Sequence, residues 1–345
     1  MTSRIDKTIA RQQEKIASGA YYEAHQQLRV IAARYIKQSN YDAAAEILAG
    51  GATALLRAGS QQGASASGGD LAVMLMVEVY VKAGWEIVGG DDDVEGRTRK
   101  KRLIELLREF PSEEPTRKRF IQEIIGWSAR FGSVERGDPE LHHAAGSVYA
   151  EDQEPYEAEK HLALGTSESA ETLAKLEYEW YTNDEPHTAG IYAARAVFPF
   201  LLIGNLRSAN KAFLIFTSRL SSANPTLGVQ EVSSASSDVR VFPALPLLNF
   251  LNLLLLSIQR GAADLFKQLT AHYATHLSEA GIFDEAIPQI GEQYFAINIP
   301  RQGNPLFDMM GSMLFGGGQD GGRRPGQGRN QPKKVEAPPS NMELD

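Results

Sequence analysis

Apolar residues fall at Tyr21, Ala24, Leu28, Ile31 and Tyr35. These steps of three and four place one stripe on one face of a helix. A polar turn, Gln38 to Asn40, interrupts the pattern. "YDAAAEILAGGATALL" then opens a second helix, with Asp42 well placed near its positive end. The phrase Tyr22-Glu23-Ala24 is echoed as Tyr41-Asp42-Ala43, again as Tyr156-Glu157-Ala158, and more loosely at Asn205-Leu206. Each echo reads as the start of a helix that packs on its neighbour, and the alanines let the pair approach closely. Helix, short polar turn, helix, repeated, predicts an all-α fold: an irregular, tetratricopeptide-like α-solenoid of helical pairs. No strict thirty-four-residue period is present, so irregular pairs are expected.

The pattern continues with interruptions. Arg57 to Asp70, "RAGSQQGASASGGD", reads as a small-residue loop, and "LAVMLMVEVYVKAGWEIV" as a mostly buried helix. Pro111 and Pro115 bracket a turn, and Pro139 opens a helix. "HTAGIYAARAVFPFLLIGN" and "LRSANKAFLIFTSRL" form a further pair. Two β-prone ends, Val229 to Val232 and Val239 to Phe242, flank a serine-rich turn and predict one small inserted β-hairpin at about 228–242. The longest apolar run, Leu245 to Ile258, is broken by two asparagines and falls short of the ~20 residues of a membrane span. It predicts a buried helix, followed by a helix over "AADLFKQLTAHYATHL". After Gly303 the chain turns rich in glycine and proline, the composition of a disordered tail. The expected divisions are two solenoid halves, 1–150 and 151–302, and a flexible tail, 303–345.

Composition narrows the function. The 345 residues are 43% hydrophobic and 23% charged, enough for a sizeable core in a soluble chain. The formal net charge of −8 argues against nucleic acid as a main partner. There is no cysteine, which excludes disulfides, thiolate metal sites and cysteine nucleophiles and fits a reducing compartment. The N-terminus lacks the apolar run of a signal peptide. A cytosolic protein with no direct membrane insertion is expected.

Candidate chemistry is thin. "HYATH" sets His272 and His276 four apart, the spacing of two zinc ligands, but Tyr273 stands where the hydrolase motif needs glutamate. Adjacent His142 and His143 diverge on a helix. Asp91, Asp92 and Asp93 lack the EF-hand spacing. Gly68-Gly69 and Gly316 to Gly318 lack the lysine-serine/threonine ending of a phosphate loop. No active site and no cofactor or metal site is expected. The N-terminus does hold a constellation: Arg4, Lys7, Arg11 and Lys15 form one basic ridge on a helix, opposite Ile5, Ile9 and Ile16. The next helix adds Arg29, Arg34 and Lys37, away from its apolar stripe. In an acidic chain this sign reversal suits a docking face for an acidic protein surface.

"SGAYYEAHQQLRVIAARYIKQSNYDAAAEIL" resembles the opening of the α-solenoid adaptors of the GET (guided entry of tail-anchored proteins) pathway, whose mammalian relative belongs to the transmembrane-recognition complex. The likeness continues in order through "AVFPFLLIGNLRSANKAF", "PLLNFLNLLLLSIQRG", "LFKQLTAHYATHL", "FDEAIPQIGEQYFAI", "GNPLFDMMGSML" and the final "MELD". The serine-rich hairpin is similar to the fungal branch. The resemblance implies a non-enzymatic scaffold without cofactors. Its N-terminal half would dock on the homodimeric targeting ATPase that carries tail-anchored clients, favouring the ATP-bound closed form. Its C-terminal half would hold a ubiquitin-like co-chaperone in a stable complex, a heterotetramer through the co-chaperone's dimerisation.

Arg4, Lys7, Arg11, Lys15, Arg29 and Arg34 fit the family's basic ATPase-binding face, and Asp70 and Glu78 its acidic regulatory patch. The co-chaperone site is expected on the hairpin, at Val229, Val232, Val239, Val241 and Phe242. It continues on the apolar helix at Leu247, Phe250, Leu251, Leu254 and Leu255, because a helix apolar all round must be covered on every side. The segment Asn304 to Phe315 is the competing cover. A different class, a helical-repeat scaffold of a proteasome-lid-like or translation complex, usually ends in a winged helix; here the end is glycine-rich.

Overall fold

The computed structural model describes residues 4–59, 61–87, 93–234, 237–281 and 283–297. The expected tail, and with it the segment 304–315, lies outside them. Fifteen α-helices and one two-stranded antiparallel sheet are present among the described residues. The first three helices, α1 (Arg4–Ala17), α2 (Tyr21–Lys37) and α3 (Tyr41–Arg57), are the amphipathic pattern of the sequence made solid. Helix α2 buries Ala24, Leu28 and Ala32, and α3 buries nearly its whole alanine-rich length. Asn40 explains part of the echoed phrase: its side chain accepts a hydrogen bond from Ala43 N at 3.2 Å and caps α3. Asn205 repeats the device on Ser208 N at 3.0 Å, opening α11 (Leu206–Ala223).

The small-residue stretch expected as a loop is mostly helix. After one 3₁₀ turn, α4 (Ala64–Met74) packs along α3. A Cβ on Gly68 would lie 2.9 Å from Leu56 N and 3.0 Å from Ala52 O, so the missing side chain is what allows the approach. Helix α4 runs into a π-helical stretch, Leu75–Tyr80. Tyr80 is fully buried there, edge-on to Trp85 and Trp127 with ring centres 5.0 Å away.

Next come α5 (Val94–Arg108), α6 (Thr116–Phe131) and α7 (Pro139–Glu151), the last capped by Asp138 with Pro139 in its first turn. Buried Arg117 of α6 reaches Asp152 and Glu154 in the turn after α7 and fastens successive layers. Helix α8 (Pro155–Ala163) follows without a break at residue 150, because α7 packs against both α8 and α9 (Ser169–Tyr181). Residues 1–299 accordingly form one unit.

Beyond α9 lie α10 (Ala189–Leu202) and α11, the expected pair. Strands β1 (Gln230–Ser234) and β2 (Ser237–Val241) form the expected hairpin, with Val232 opposite Val239. The apolar run is α12 (Pro246–Arg260). The helix expected over "AADLFKQLTAHYATHL" is two, α13 (Ala263–His272) and α14 (Ala274–Ala280), broken at Tyr273. Helix α15 (Phe283–Phe295) closes the described fold. No helix is long and apolar enough to cross a membrane among the described residues.

Candidate functional site

Helix α1 turns Ile5, Ile9 and buried Ile16 toward the core. Its opposite face exposes Lys7 and Arg11; Arg4 opens the helix, and its side chain lies outside the described ones. Lys15 is drawn toward α2, 3.6 Å from Glu23. The outer side of α2 adds exposed Arg29, Arg34 and Lys37. Between them stand two side chains that pattern reasoning passed over: Tyr22 is 73% and Val30 69% exposed. Both lie off the buried stripe, which was the available signal. A basic surface with apolar centres combines charge steering with area to bury.

Arg29 and Asp70, predicted separately, are brought together: Arg29 Nη1 lies 3.2 Å from Asp70 Oδ2, and His25 Nε2 lies 2.9 Å from the same oxygen. Asp70 on α4 is thereby tied to the basic face. Glu78 is engaged elsewhere, by Lys82 one turn along its own segment.

The second region is the hairpin and α12. Asn249 Nδ2 donates to Phe242 O at 2.9 Å and its Oδ1 accepts from Phe242 N at 2.8 Å; Asn252 Nδ2 donates to Arg240 O at 3.2 Å. The two asparagines that interrupt the apolar run therefore fasten the hairpin to the helix. Phe242, Phe250, Leu251, Leu254 and Leu255 are buried in the chain's own core. Phe250 meets Tyr273 and Phe283 with ring centres 5.6 and 5.9 Å away, so elements after α12 supply the cover expected from a partner or from 304–315.

Leu247 is half-buried against α10, where a Cβ on Gly190 would sit 2.5 Å from its own Cβ. Val229 and Val241 are half-buried, and the side chains of Val232 and Val239 lie outside the described ones. A cleft of about 240 Å³ lies between α11 and the hairpin, lined by Ser218, Ser221, Ser222, Val229, Glu231 and Arg240. Arg240 Nη1 donates to Ser218 Oγ at 3.1 Å, and its Nε lies 3.6 Å from Glu231.

The histidines of the sequence pattern separate. His272 and His276 fall on different helices, α13 and α14. His142 faces His161, Nδ1 to Nδ1 at 3.1 Å, and its Nε2 is 2.9 Å from Arg136 O; His143 turns to Ser169 Oγ at 2.9 Å. Burial lowers His142, and takes His161 down to about 4 with help from neighbouring His142, so both rings are neutral at pH 7. Asp93 caps α5; Asp91 and Asp92 lie outside the described residues. No group of three or more histidine, aspartate or glutamate side chains is set to hold a metal among the described residues.

The family model for "Golgi to ER traffic protein 4" matches residues 38–314. A relative of that name from Aspergillus fumigatus is 84% identical over 346 residues, covering all of both chains. The chain belongs to the Golgi to ER traffic protein 4 family. A Schizosaccharomyces pombe member is 31% identical over 313 residues, 90% of this chain and 96% of its own. A solved structure titled "Crystal structure of C. therm. Get4" superposes with a TM-score of 0.79 at 50% identity, over 94% of this chain and all of its own. The Golgi to ER traffic protein 4 model begins just after α2, so the hairpin region falls inside its span and the basic face outside it.

Proposed function

We propose that this chain is a non-enzymatic, cytosolic adaptor of Golgi to ER traffic, acting in the GET pathway that targets tail-anchored proteins to the ER. It bridges the homodimeric targeting ATPase, bound at the α1–α2 face, and a ubiquitin-like co-chaperone, bound at the hairpin, and favours the ATP-bound closed ATPase for client loading. The observation that carries this reading is the sign reversal at one end of the solenoid: exposed Lys7, Arg11, Arg29 and Arg34 around Tyr22 and Val30, in a chain of net charge −8. For the co-chaperone, the supporting features are the α11–hairpin cleft and half-buried Val229, Val241 and Leu247, not the covered leucines of α12.

The test is a titration of the purified chain against the ATPase and, separately, the co-chaperone. Exposed ion pairs contribute ~0.2–1 kcal/mol each, so single reversals are mild and the pair Lys7→Glu with Arg11→Glu weakens ATPase binding clearly. Added salt weakens the wild-type contact, because exposed charges are screened beyond about 10 Å at ~0.1 M. The double reversal leaves the circular dichroism and co-chaperone binding unchanged. Full ATPase affinity in the double variant, independent of salt, would refute the assignment of that face.

A further inference from the structure

In the middle of the solenoid three charged side chains converge from three helices. Glu177 of α9 is fully buried. Arg195 of α10 brings Nε to 3.1 Å from Glu177 Oε2 and Nη2 to 3.8 Å from Glu159 Oε2 of α8. The approach is off-axis: neither Glu177 oxygen, nor Arg195 Nε or Nη2, makes a directed hydrogen bond. The surroundings offer little further charge. Tyr156 of α8 lies over the guanidinium at 5.1 Å, Tyr192 of α10 donates its hydroxyl to Asp184 at 2.9 Å, and Tyr181 lies tilted beside Tyr192. Lys160, the next residue after Glu159, is 3.3 Å from Glu157, which also holds Lys118. On the α11 side Arg219 sits over Tyr178.

One guanidinium therefore faces two carboxylates: Glu177, shut off from water, and Glu159, whose side chain is 33% exposed. Glu159 reaches water and can keep its charge; Glu177, buried with no directed hydrogen bond and sharing Arg195 with that second carboxylate, is too costly to keep charged and takes up a proton. We propose that Glu159, Glu177 and Arg195 form a proton-sensitive joint, in which a single proton held by the carboxylate pair secures the packing of α8, α9 and α10. Burial raises Glu159, against the attraction of Arg195 and Lys160, and pushes Glu177 up to about 7, against Arg195 and with help from the Glu159 charge. The two titrate as a pair, so the proton belongs to the cluster.

The direction follows from linkage. The folded cluster binds a proton with a pKa above the unfolded value of about 4.5, so its stabilisation is complete below that value. It is lost as pH rises through about 7 and is absent above. His142 and His161 act in the opposite sense over an overlapping range, so the diagnostic quantity is the difference between variant and wild type.

The experiment measures denaturant unfolding of the full chain between pH 5 and 8 for wild type, Glu177→Gln and Glu159→Gln. A neutral amide cannot titrate. The folding equilibrium constant of Glu177→Gln is expected to rise relative to wild type by up to about tenfold per pH unit between roughly pH 5 and 7, then level off. Infrared spectroscopy at pH 6 is expected to show a buried protonated carboxyl band in wild type that Glu177→Gln removes. This readout needs only that the fold persists; Glu159→Gln provides it if the first variant fails to fold, by altering the same band. Parallel stability curves for wild type and both variants, or no protonated carboxyl band in wild type at pH 6, would overturn the proposal.

Discussion

The asparagine clamp on the hairpin can be tested by Asn249→Leu, a change that keeps the branched side-chain outline and adds to the apolar character of α12. Asn249 meets both backbone groups of Phe242, at 2.8 and 2.9 Å; Phe242 O also accepts from Leu245 N at 3.0 Å, so the substitution strips the partner from Phe242 N alone, and Phe242 is fully buried, so water cannot replace it. A buried backbone group left without a partner costs about 1–3 kcal/mol. The added leucine carbons sit at a half-buried position and return about 1 kcal/mol. The net loss, up to about 2 kcal/mol, falls on the hairpin, because Phe242 is where β2 meets α12. Amide hydrogen exchange reads it locally. Amides of 229–242 are expected to exchange up to roughly thirtyfold faster, while those of α9 and α10 keep their protection. Asn252→Leu removes one bond, to Arg240 O at 3.2 Å, and has a smaller effect. A hairpin as protected in Asn249→Leu as in wild type would refute the reasoning and leave the asparagines as chance interruptions.

Two further outcomes follow from the packing. Gly68→Ala puts a methyl group against backbone atoms of Leu56 and Ala52 that cannot step aside, so α3 and α4 must separate; urea unfolding should show a loss of about 1–3 kcal/mol. His161 is held neutral by burial, with its folded pKa lowered to about 4 from 6.5, so its contribution is present above pH 6.5 and is lost as pH falls toward 4. His161→Phe should remove part of the acid-side loss, at most about 3 kcal/mol, and an unchanged stability–pH curve below pH 6.5 would contradict the assignment.

What the sequence made legible, and what it hid, divides along physical lines. Helices α2 and α3 were readable because each carries a stripe of the right period and a polar turn between. The hairpin was readable because its β-prone ends bracket a turn, and the basic ridge because it needs only helical spacing. Helix α4 was not: "ASASGGDLAVM" carries no amphipathic contrast, and its helicity rests on glycines whose purpose, contact with α3, lies in another element. The break at Tyr273 has no proline or glycine to announce it; there the ring packs on Phe250 while the chain changes direction. Glu177 looks like any glutamate on a solvated helix face, and only the arrival of α10 over it makes it buried.

Helix α12 shows why apolar excess alone is a poor guide to a docking surface. A helix without a polar face states that it must be covered; it does not state by what. Here α10, α11, the hairpin and the aromatic residues of α13 to α15 supply the cover from the same chain, so Leu254 and Leu255 hold the fold and offer a partner nothing. The reverse holds at α2. Tyr22 and Val30 sit on a helix that already has a complete buried face, so their exposure is surplus to folding, and they stand among charges of the sign opposite to that of the chain as a whole. Surface left over after the chain has packed on itself is the material from which a docking site is made. By that measure the two regions differ in kind: an exposed, charged face at α1–α2 with surplus apolar side chains, and a partly covered cleft beside a hairpin that two asparagines clamp to α12.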